Sequence, residues 1–219
     1  MQENLYPFSP LVCKDTISDG FHEFLMDGLD ASDRSHSYNH RLVGNILNQK
    51  SAEYNPEVFY DYINPHVQRY FQQEYKDGCF FRVNDPTFDD NKLDYVTYDL
   101  GPDGPWINFQ QKHEYNPLHR HHGDLSAIIF IDIPKEIEEE RLYKRKNNLP
   151  SCANGLVDFW CNDIQWMFSP ESKQILLFPS SLLHAVYPFS SNVKRVTMSF
   201  NIGPIWVDNS SFRIPQSFT

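Results

Sequence analysis

Hydrophobic residues in the first third of the chain recur at the spacing expected for α-helices. Residues 18–29 place four large apolar side chains on one face, behind a candidate N-cap at Ser18 or Asp19. Residues 56–75 repeat aromatic and aliphatic side chains in the same way, and Pro65 inside this stretch predicts a kink or a break. These apolar stripes are typical of a protein core rather than of a cofactor site.

From about residue 80 the pattern changes to short β-type runs separated by turn residues. Seven runs are predicted as strands: residues 94–100, 106–112, 125–133, 156–161, 173–179, 184–189 and 195–202. The sequence PDGP at 102–105 predicts a turn between the first two. Seven or more short strands without interleaved helices indicate a mainly β protein, an antiparallel sandwich or barrel flanked by the N-terminal helices.

The predicted organisation is a single domain spanning residues 1–219. Residues 1–80 form a helical N-terminal support, and residues 81–219 form the β core. The charged segment 135–153 interrupts the strands, and its run of acidic and basic residues predicts a partly helical surface excursion.

Composition narrows the class of protein and of partner. The 219 residues are 40% hydrophobic and 15% aromatic, which fits a folded domain, and no apolar run approaches the roughly 20 residues that a membrane helix needs. A formal net charge of −10 argues against a nucleic-acid partner bound through its phosphates. No signal peptide is visible, and four scattered cysteines fit reduced thiols, so a cytoplasmic location in a bacterial or phage-infected cell is expected.

Histidines are concentrated in residues 116–134, directly before an apolar strand. Because side chains two residues apart on a strand point to the same face, His119 and His121 are able to converge on one ion, while His122 points elsewhere. Asp124 lies on the His122 side of this alternation unless a turn at the intervening glycine swings it inward. The pattern predicts a metal site, and the choice between His121 and Asp124 stays open. The alternative is a solvated loop that is rich in histidine.

A third histidine and a buried-looking arginine follow in residues 174–202. His184 begins a strand, and Arg195 opens another strand eleven residues later. An arginine that points into a core needs an anionic partner, and no acidic residue lies nearby in sequence. The carboxylate of a bound ligand would satisfy its planar guanidinium, and Thr197 and Ser199 fall on the same face as possible hydroxyl donors. The alternative places Arg195 at a strand edge in water.

Taken together, these motifs resemble the Fe(II)/2-oxoglutarate-dependent dioxygenases. The resemblance rests on the His-x-His before a core strand, on FPSSLLHAVYPF, on the arginine eleven residues after its histidine, and on TMSFNI. It is nearest to a small branch common in phage and marine bacterial genomes that is described as prolyl 4-hydroxylase-like. WINF at 106–109, the stretch 119–134 and the block from His184 to Arg195 match that branch in order and spacing, over roughly residues 95–203.

The resemblance implies a double-stranded β-helix, a cupin-like jelly roll of two sheets, which agrees with the strand count. It makes His119 the first metal ligand and His184 the distal ligand. His121 stands where most of the superfamily has Asp or Glu, so a neutral imidazole replaces a carboxylate. Three-histidine iron sites exist in related β-barrels, and His121 is therefore predicted as the third ligand, with Asp124 as the alternative.

The resemblance also implies a cosubstrate site. Arg195 corresponds to the residue that binds the distal carboxylate of 2-oxoglutarate, assisted by Thr197 or Ser199. Asn108 and Ser126 are predicted as further cosubstrate contacts. His119, His121, His184 and Arg195 are thus the residues expected to carry the reaction.

The implied reaction couples oxidative decarboxylation of 2-oxoglutarate by O2 to hydroxylation of a substrate, with Fe(II) as cofactor and ascorbate as a candidate reductant. The expected primary substrate is a protein or peptide, such as a peptidyl proline or another protein side chain, or else a small molecule. Tyr187 is a candidate wall residue of the pocket. No membrane partner is expected.

Two other functions use the same residues. A zinc-type metallohydrolase needs a carboxylate general base beside the metal and has no use for Arg195. A non-catalytic jelly-roll binding or structural module needs neither the metal nor the arginine.

Overall fold

The computed structural model describes residues 3–5, 10–77, 96–101, 104–150 and 153–207. Three α-helices lie in these ranges: α1 (Asp19–Asp33), α2 (Pro56–Asp77) and α3 (Lys135–Lys146). A 3₁₀ turn, Asn39–Arg41, follows α1. The Ser18 hydroxyl accepts a hydrogen bond of 3.1 Å from the Phe21 amide, so Ser18 is the N-cap of α1. Both predicted N-terminal helices are present.

Helix α2 continues through Pro65 without interruption, so of the predicted kink or break the break does not occur. Proline removes one backbone donor from the helix, but the helix is held by burial on both sides of it. Ile63 and Val67 are fully buried against the large sheet. Packing of the apolar face therefore outweighs the lost hydrogen bond.

Twelve strands are described, and they form two antiparallel sheets. Their bounds are β1 (Glu3–Leu5), β2 (Val12–Thr16), β3 (Gln49–Ser51), β4 (Val96–Leu100), β5 (Trp106–Gln110), β6 (Asn116–His119), β7 (Leu125–Asp132), β8 (Val157–Cys161), β9 (Ile164–Phe168), β10 (Gln174–Pro179), β11 (Leu183–Val186) and β12 (Arg195–Val207). In the described residues, the large sheet has eight strands in the order β1-β2-β10-β7-β12-β5-β3, with β4 paired to β12. The small sheet has four strands in the order β6-β11-β8-β9.

From β5 onward the chain passes back and forth between the two sheets. Strands β5, β7, β10 and β12 belong to the large sheet, and β6, β8, β9 and β11 belong to the small sheet. This alternation is the topology of a double-stranded β-helix, or jelly roll. The predicted fold class, mainly β with flanking N-terminal helices, is confirmed.

The large sheet is buried on both faces. Its outer face packs against α1 and α2, and its inner face packs against the small sheet. Strand β7 shows the division, because Ile129 and Ile131 belong to the helix-side core while Ile128 and Phe130 belong to the core between the sheets. Two-sided burial explains why β7 is a nearly continuous apolar run rather than an alternating one.

Several details differ from the sequence prediction. Strands β1, β2, β3, β6 and β9 were not predicted, and the strand predicted at 184–189 is β11, which ends at Val186. Helix α3 lies between β7 and β8, so the β region does contain an interleaved helix. The prediction of a surface excursion at 135–153 missed that α3 is anchored by Ile137, which is buried.

Parts of the predicted strand at 94–100 and of the turn at 102–105 lie outside the described residues, as do residues 81–95 of the predicted β core. In the ranges that are described, no helix has the length and apolar character needed to span a bilayer. The division into a support and a β core remains a prediction.

Candidate metal and cosubstrate site

A cavity of about 260 Å³ opens between the two sheets, and it collects the residues predicted from the sequence. Eight of them line it: His119, His121, His184, Arg195, Thr197, Ser199, Asn108 and Ser126. The first three come from the small sheet and the turn that leaves it, and the other five come from the large sheet. The fold therefore brings together side chains that are separated by up to 91 positions in the sequence.

The three histidines form one cluster. His119 ends β6 and is the direct cross-strand partner of His184 on β11, while His121 lies in the turn after β6. Their ring centroids are 4.3 Å apart for His119 and His184, 4.8 Å for His119 and His121, and 5.1 Å for His121 and His184. One candidate ligand atom from each ring lies within 4.8 Å of the others, a spacing that could hold a metal ion.

Backbone carbonyls fix the orientation of two of these rings. His119 Nδ1 lies 2.7 Å from the Pro117 carbonyl oxygen, and His184 Nδ1 lies 3.0 Å from that of Leu182. A carbonyl oxygen only accepts hydrogen bonds, so Nδ1 carries the proton in both rings. The Nε2 lone pairs are then left for another partner, which is the arrangement found in histidine metal ligands.

Burial keeps the three imidazoles uncharged. It lowers the pKa of His119, lowers the pKa of His121 to about 4, and holds the pKa of His184 well below its ordinary value. The neighbouring histidines lower the pKa of His121 and His184 further, because a second positive charge nearby is unfavourable. At neutral pH the cluster therefore offers neutral nitrogen donors.

Asp124, the predicted alternative ligand, is turned toward the backbone of β12. Its Oδ2 accepts a hydrogen bond of 3.1 Å from the Ile205 amide, and its own amide donates to the Ile202 carbonyl at 2.9 Å. The group of possible metal ligands in the described residues contains the three histidines and not Asp124. Gly123 does turn the chain, at a φ of 113°, but the turn directs Asp124 away from the cluster.

Arg195 is buried in the same cavity, with 2% of its surface exposed. Its Nη1 donates to the Gly155 carbonyl at 2.8 Å, and its Nε has no hydrogen-bond partner. Within the part of the chain that the structure describes, no carboxylate forms an ion pair with it. Burial lowers the pKa of Arg195 to about 9, so the side chain stays charged at neutral pH. A buried cation with an unused donor needs an anion.

Hydroxyl and amide groups surround the guanidinium side of the cavity. Asn108 Nδ2 donates to Thr197 Oγ1 at 3.3 Å and to Ser199 Oγ at 3.4 Å, and Asn108 Oδ1 accepts from Gln49 Nε2 at 2.8 Å. Ser126 Oγ donates to Asn201 Oδ1 at 2.8 Å. These hydroxyl and amide groups form the polar floor of the cavity, and they can form hydrogen bonds with a polar ligand.

Sequence reasoning missed part of this floor. Gln110 and Asn201 also line the cavity, and strand alternation would have identified them from Asn108 and Ser199. Gln49 comes from the unpredicted strand β3, and nothing in its sequence context marks it.

The suggested wall residue Tyr187 was wrong, because it is not among the described cavity-lining residues. Its hydroxyl instead donates to Asp158 Oδ2 at 3.3 Å. Tyr187 follows the last residue of β11, where the inward and outward alternation of the strand has ended.

Comparison with known proteins finds a family model that matches part of the chain. Residues 104–201 match the family described as "Putative 2OG-Fe(II) oxygenase". The matched segment runs from just before β5 into β12, so it contains the three histidines and Arg195. The resemblance to 2-oxoglutarate-dependent oxygenases is thereby confirmed over just under half of the chain, while the phage and marine bacterial branch stays a prediction. No curated protein matches.

Solved structures that match this chain include a Pseudomonas putida prolyl-4-hydroxylase, with 11% identity, a TM-score of 0.48, and coverage of 87% of this chain and 91% of that one. HygX from Streptomyces hygroscopicus, with nickel, 2-oxoglutarate and hygromycin B bound, has 11% identity, a TM-score of 0.48 and coverage of 90% and 83%. A Trichoplax adhaerens prolyl hydroxylase, in complex with a hypoxia inducible factor peptide fragment, has 11% identity, a TM-score of 0.47 and coverage of 90% and 82%. With identities this low, the function of this chain is inferred from its own residues.

Proposed function

Proceeding from the oxygenase family match over residues 104–201, we propose that this protein is an Fe(II)- and 2-oxoglutarate-dependent dioxygenase that hydroxylates a primary substrate. One observation carries the proposal. Three neutral histidines that could hold a metal ion and a buried arginine without an anionic partner among the described residues face the same cavity.

The residues present fit an iron ion. The Nε2 atoms of His119 and His184, which their Nδ1 hydrogen bonds leave unused, and a ring nitrogen of His121 would supply three nitrogen donors, and imidazole suits iron among other transition metals. With no carboxylate in the group, these ligands leave the charge of Fe(II) uncompensated. The dianionic cosubstrate would balance that charge. When bound, the iron supplies the reaction between 2-oxoglutarate and O2 that drives hydroxylation.

Arg195 is proposed to bind the distal carboxylate of 2-oxoglutarate. Its guanidinium presents a planar set of donors that matches a carboxylate, and the Gly155 carbonyl holds one end of it in place. Thr197 and Ser199 lie on the same face of β12 and can donate hydroxyl groups to that carboxylate. Asn108 and Ser126 are proposed as further contacts, and both are buried.

Aromatic side chains pack around His184 on the metal side of the cavity. The His184 ring lies 4.9 Å from that of Phe178 and 6.0 Å from that of Phe159, centroid to centroid. Because Arg195 is itself buried, its interaction with a charged cosubstrate is stronger than it would be in water.

The hydroxylated group is proposed from the sequence resemblance to prolyl 4-hydroxylase-like proteins. A peptidyl proline or another protein side chain is the first candidate, and a small molecule is the second. Ascorbate as reductant and a cytoplasmic location belong to the same proposal.

The cavity lining disfavours the hydrolase alternative. A zinc hydrolase on these histidines needs a carboxylate general base, and no Asp or Glu is among the described residues that line the cavity. A purely structural jelly roll gives no reason to bury Arg195 without an anion, since that burial is unfavourable.

The decisive experiment is anaerobic spectroscopy of the full chain with Fe(II) and 2-oxoglutarate. We expect a weak visible metal-to-ligand charge-transfer band that requires both additions. In Arg195→Ala, 2-oxoglutarate at concentrations that saturate the wild type should no longer produce the band, while Fe(II) binding is retained. Lys194→Ala is the matched control, since this neighbouring cation is exposed. The absence of the band in the wild type, or an Arg195→Ala variant that behaves like the wild type, would contradict the proposal.

A further inference from the structure

The charge of the cavity lining is opposite to that of the chain. The chain has 29 Asp and Glu residues against 19 Lys and Arg residues. Among the described residues that line the cavity, Arg41, Arg120 and Arg195 are cationic and none is acidic. The charged side chains of the described cavity lining are therefore positive although the chain as a whole is acidic, and a positive lining favours anionic ligands.

The three arginines occupy different depths. Arg195 is buried, whereas Arg41 and Arg120 are exposed and therefore lie at the mouth of the cavity. Arg120 directly follows His119 in the sequence, and the structure shows no ion pair for it with any described acidic residue. The two exposed arginines are not needed for the cosubstrate contact proposed for Arg195.

An aromatic wall connects Arg41 with the histidine cluster. The Arg41 guanidinium carbon lies 5.7 Å from the centre of the Tyr38 ring. Tyr38 stacks on Trp106, with 5.6 Å between the ring centroids and 10° between the ring planes. The ring centroids of Trp106 and His121 are 5.9 Å apart. Tyr38 and Trp106 are both buried, so this wall is a fixed surface that leads from the mouth to the candidate metal.

The loop that carries Arg41 is held in place by one side chain. Asn39 Nδ2 donates to the Ile46 carbonyl at 3.2 Å and to the Leu47 carbonyl at 2.8 Å, and Asn39 Oδ1 accepts from the Gln49 amide at 3.1 Å. These three hydrogen bonds of the Asn39 side chain hold the loop closed without a ligand. The backbone that carries Arg41 is thus held in place, which reduces the entropy lost when the loop binds a ligand.

From this arrangement we propose that the primary substrate carries a carboxylate or phosphate group that Arg41 and Arg120 bind at the cavity mouth. Its body lies along Tyr38 and Trp106 and directs the reacting atom toward the histidines. The inference rests on the proposed function, in which Fe(II) and dianionic 2-oxoglutarate neutralise each other. The positive charge of Arg41 and Arg120 is then not needed to balance the cosubstrate or the metal.

The test uses three probes of similar shape: phenylacetate, phenyl phosphate and the neutral phenylacetamide. Their dissociation constants are measured by ligand-observed NMR against the full chain, with Zn(II) in place of Fe(II) and with saturating 2-oxoglutarate to occupy the inner site. We expect at least one acid to bind about tenfold more tightly than the amide, because charge-assisted bonds to arginine are the stronger ones. Which acid is preferred separates a carboxylate substrate from a phosphate substrate.

Two variants and one control complete the test. The preference for the acid should disappear in Arg41→Gln/Arg120→Gln, and Arg120→Gln alone should reduce it. Lys112→Gln should keep it, since Lys112 is an exposed cation outside the described cavity lining. A wild type that prefers neither acid, or a double variant that keeps the preference, overturns the inference. A wild type with a normal charge-transfer band but no preference refutes only this inference, whereas a missing band refutes the proposed function as well.

Discussion

His119 and His184 are held by the same local contact. Each ring places Nδ1 against the carbonyl oxygen of the residue two positions earlier in the sequence, and the two residues are direct cross-strand partners. The protonation of both rings is therefore set by backbone close in sequence, before any metal binds. Only the distance between the two Nε2 atoms depends on the pairing of β6 with β11.

His121 provides a sharp test at the residue scale, because an exposed histidine follows it directly. We expect His121→Ala to weaken binding of Co(II) or Fe(II) by more than about tenfold, since even partners outside the coordination sphere commonly contribute that much. His122→Ala should leave the affinity unchanged. Metal titration of the two variants and the wild type measures the difference. Equal affinities for all three proteins would exclude His121 as a ligand.

Strand β12 shows how one element separates core and site. Its even-numbered residues Val196 and Met198 belong to the core beneath the helices, and Arg195, Thr197 and Ser199 line the cavity. Antiparallel pairing with β5 places Asn108 opposite Thr197, which builds the polar floor of the cavity from two strands. A register shift of one residue would place the arginine among the core side chains.

Helix α3 supports the site through Gly155. A Cβ at this position would lie 2.2 Å from Cγ2 of the buried Ile137, and the residue has a φ of 73°. The Gly155 carbonyl is also the acceptor for Arg195. The absence of a side chain at Gly155 thus allows α3 to dock and the guanidinium to be held.

We expect Gly155→Ala to lower the free energy of unfolding by about 2–4 kcal/mol, from backbone strain and overpacking together. Gly104→Ala is the matched control, because its φ is 59° and nothing in the described structure lies within 4 Å of the added Cβ. It should cost about 1–2 kcal/mol from strain alone. Denaturant unfolding measures both, and equal losses would show that the contact with Ile137 does not matter.

At the scale of the whole molecule, the helical layer is joined to the large sheet by a buried polar network as well as by the apolar core. Asp15 on β2 accepts hydrogen bonds from His66 and Arg69 on α2 and from the Thr16 amide. Burial by itself raises the pKa of Asp15, but these hydrogen bonds and the nearby positive charges outweigh it and lower the pKa to about 2. The folded state therefore favours the ionised carboxylate.

The sign of the pH dependence follows from this lowered pKa. The contribution of Asp15 to the free energy of unfolding is fully present above its ordinary pKa of 3.8 and is lost as the pH falls toward about 2. We expect Asp15→Asn to be less stable than the wild type at pH 6, and the difference to shrink between pH 4 and pH 2. Denaturant midpoints across this range measure it, with Asp27→Asn, at an exposed position on α1, as the control for charge. A difference that does not change with pH would contradict this account.

The sequence by itself determined the two N-terminal helices, most of the strands and the identity of the candidate site residues. Helical and strand periodicity depend on local geometry, and the residue types that bind metals and carboxylates are distinctive. The family resemblance ordered these residues along the chain, and the match over residues 104–201 agrees with it.

Only the tertiary structure decided which of these residues meet. The turn at Gly123 directs Asp124 away from the histidines, and the Ile205 amide that donates to Asp124 lies 81 positions away in the sequence. Arg41 and the Gln49 contact come from segments with no site motif. Convergence of distant side chains is set by strand pairing and layer packing, which a local pattern does not contain.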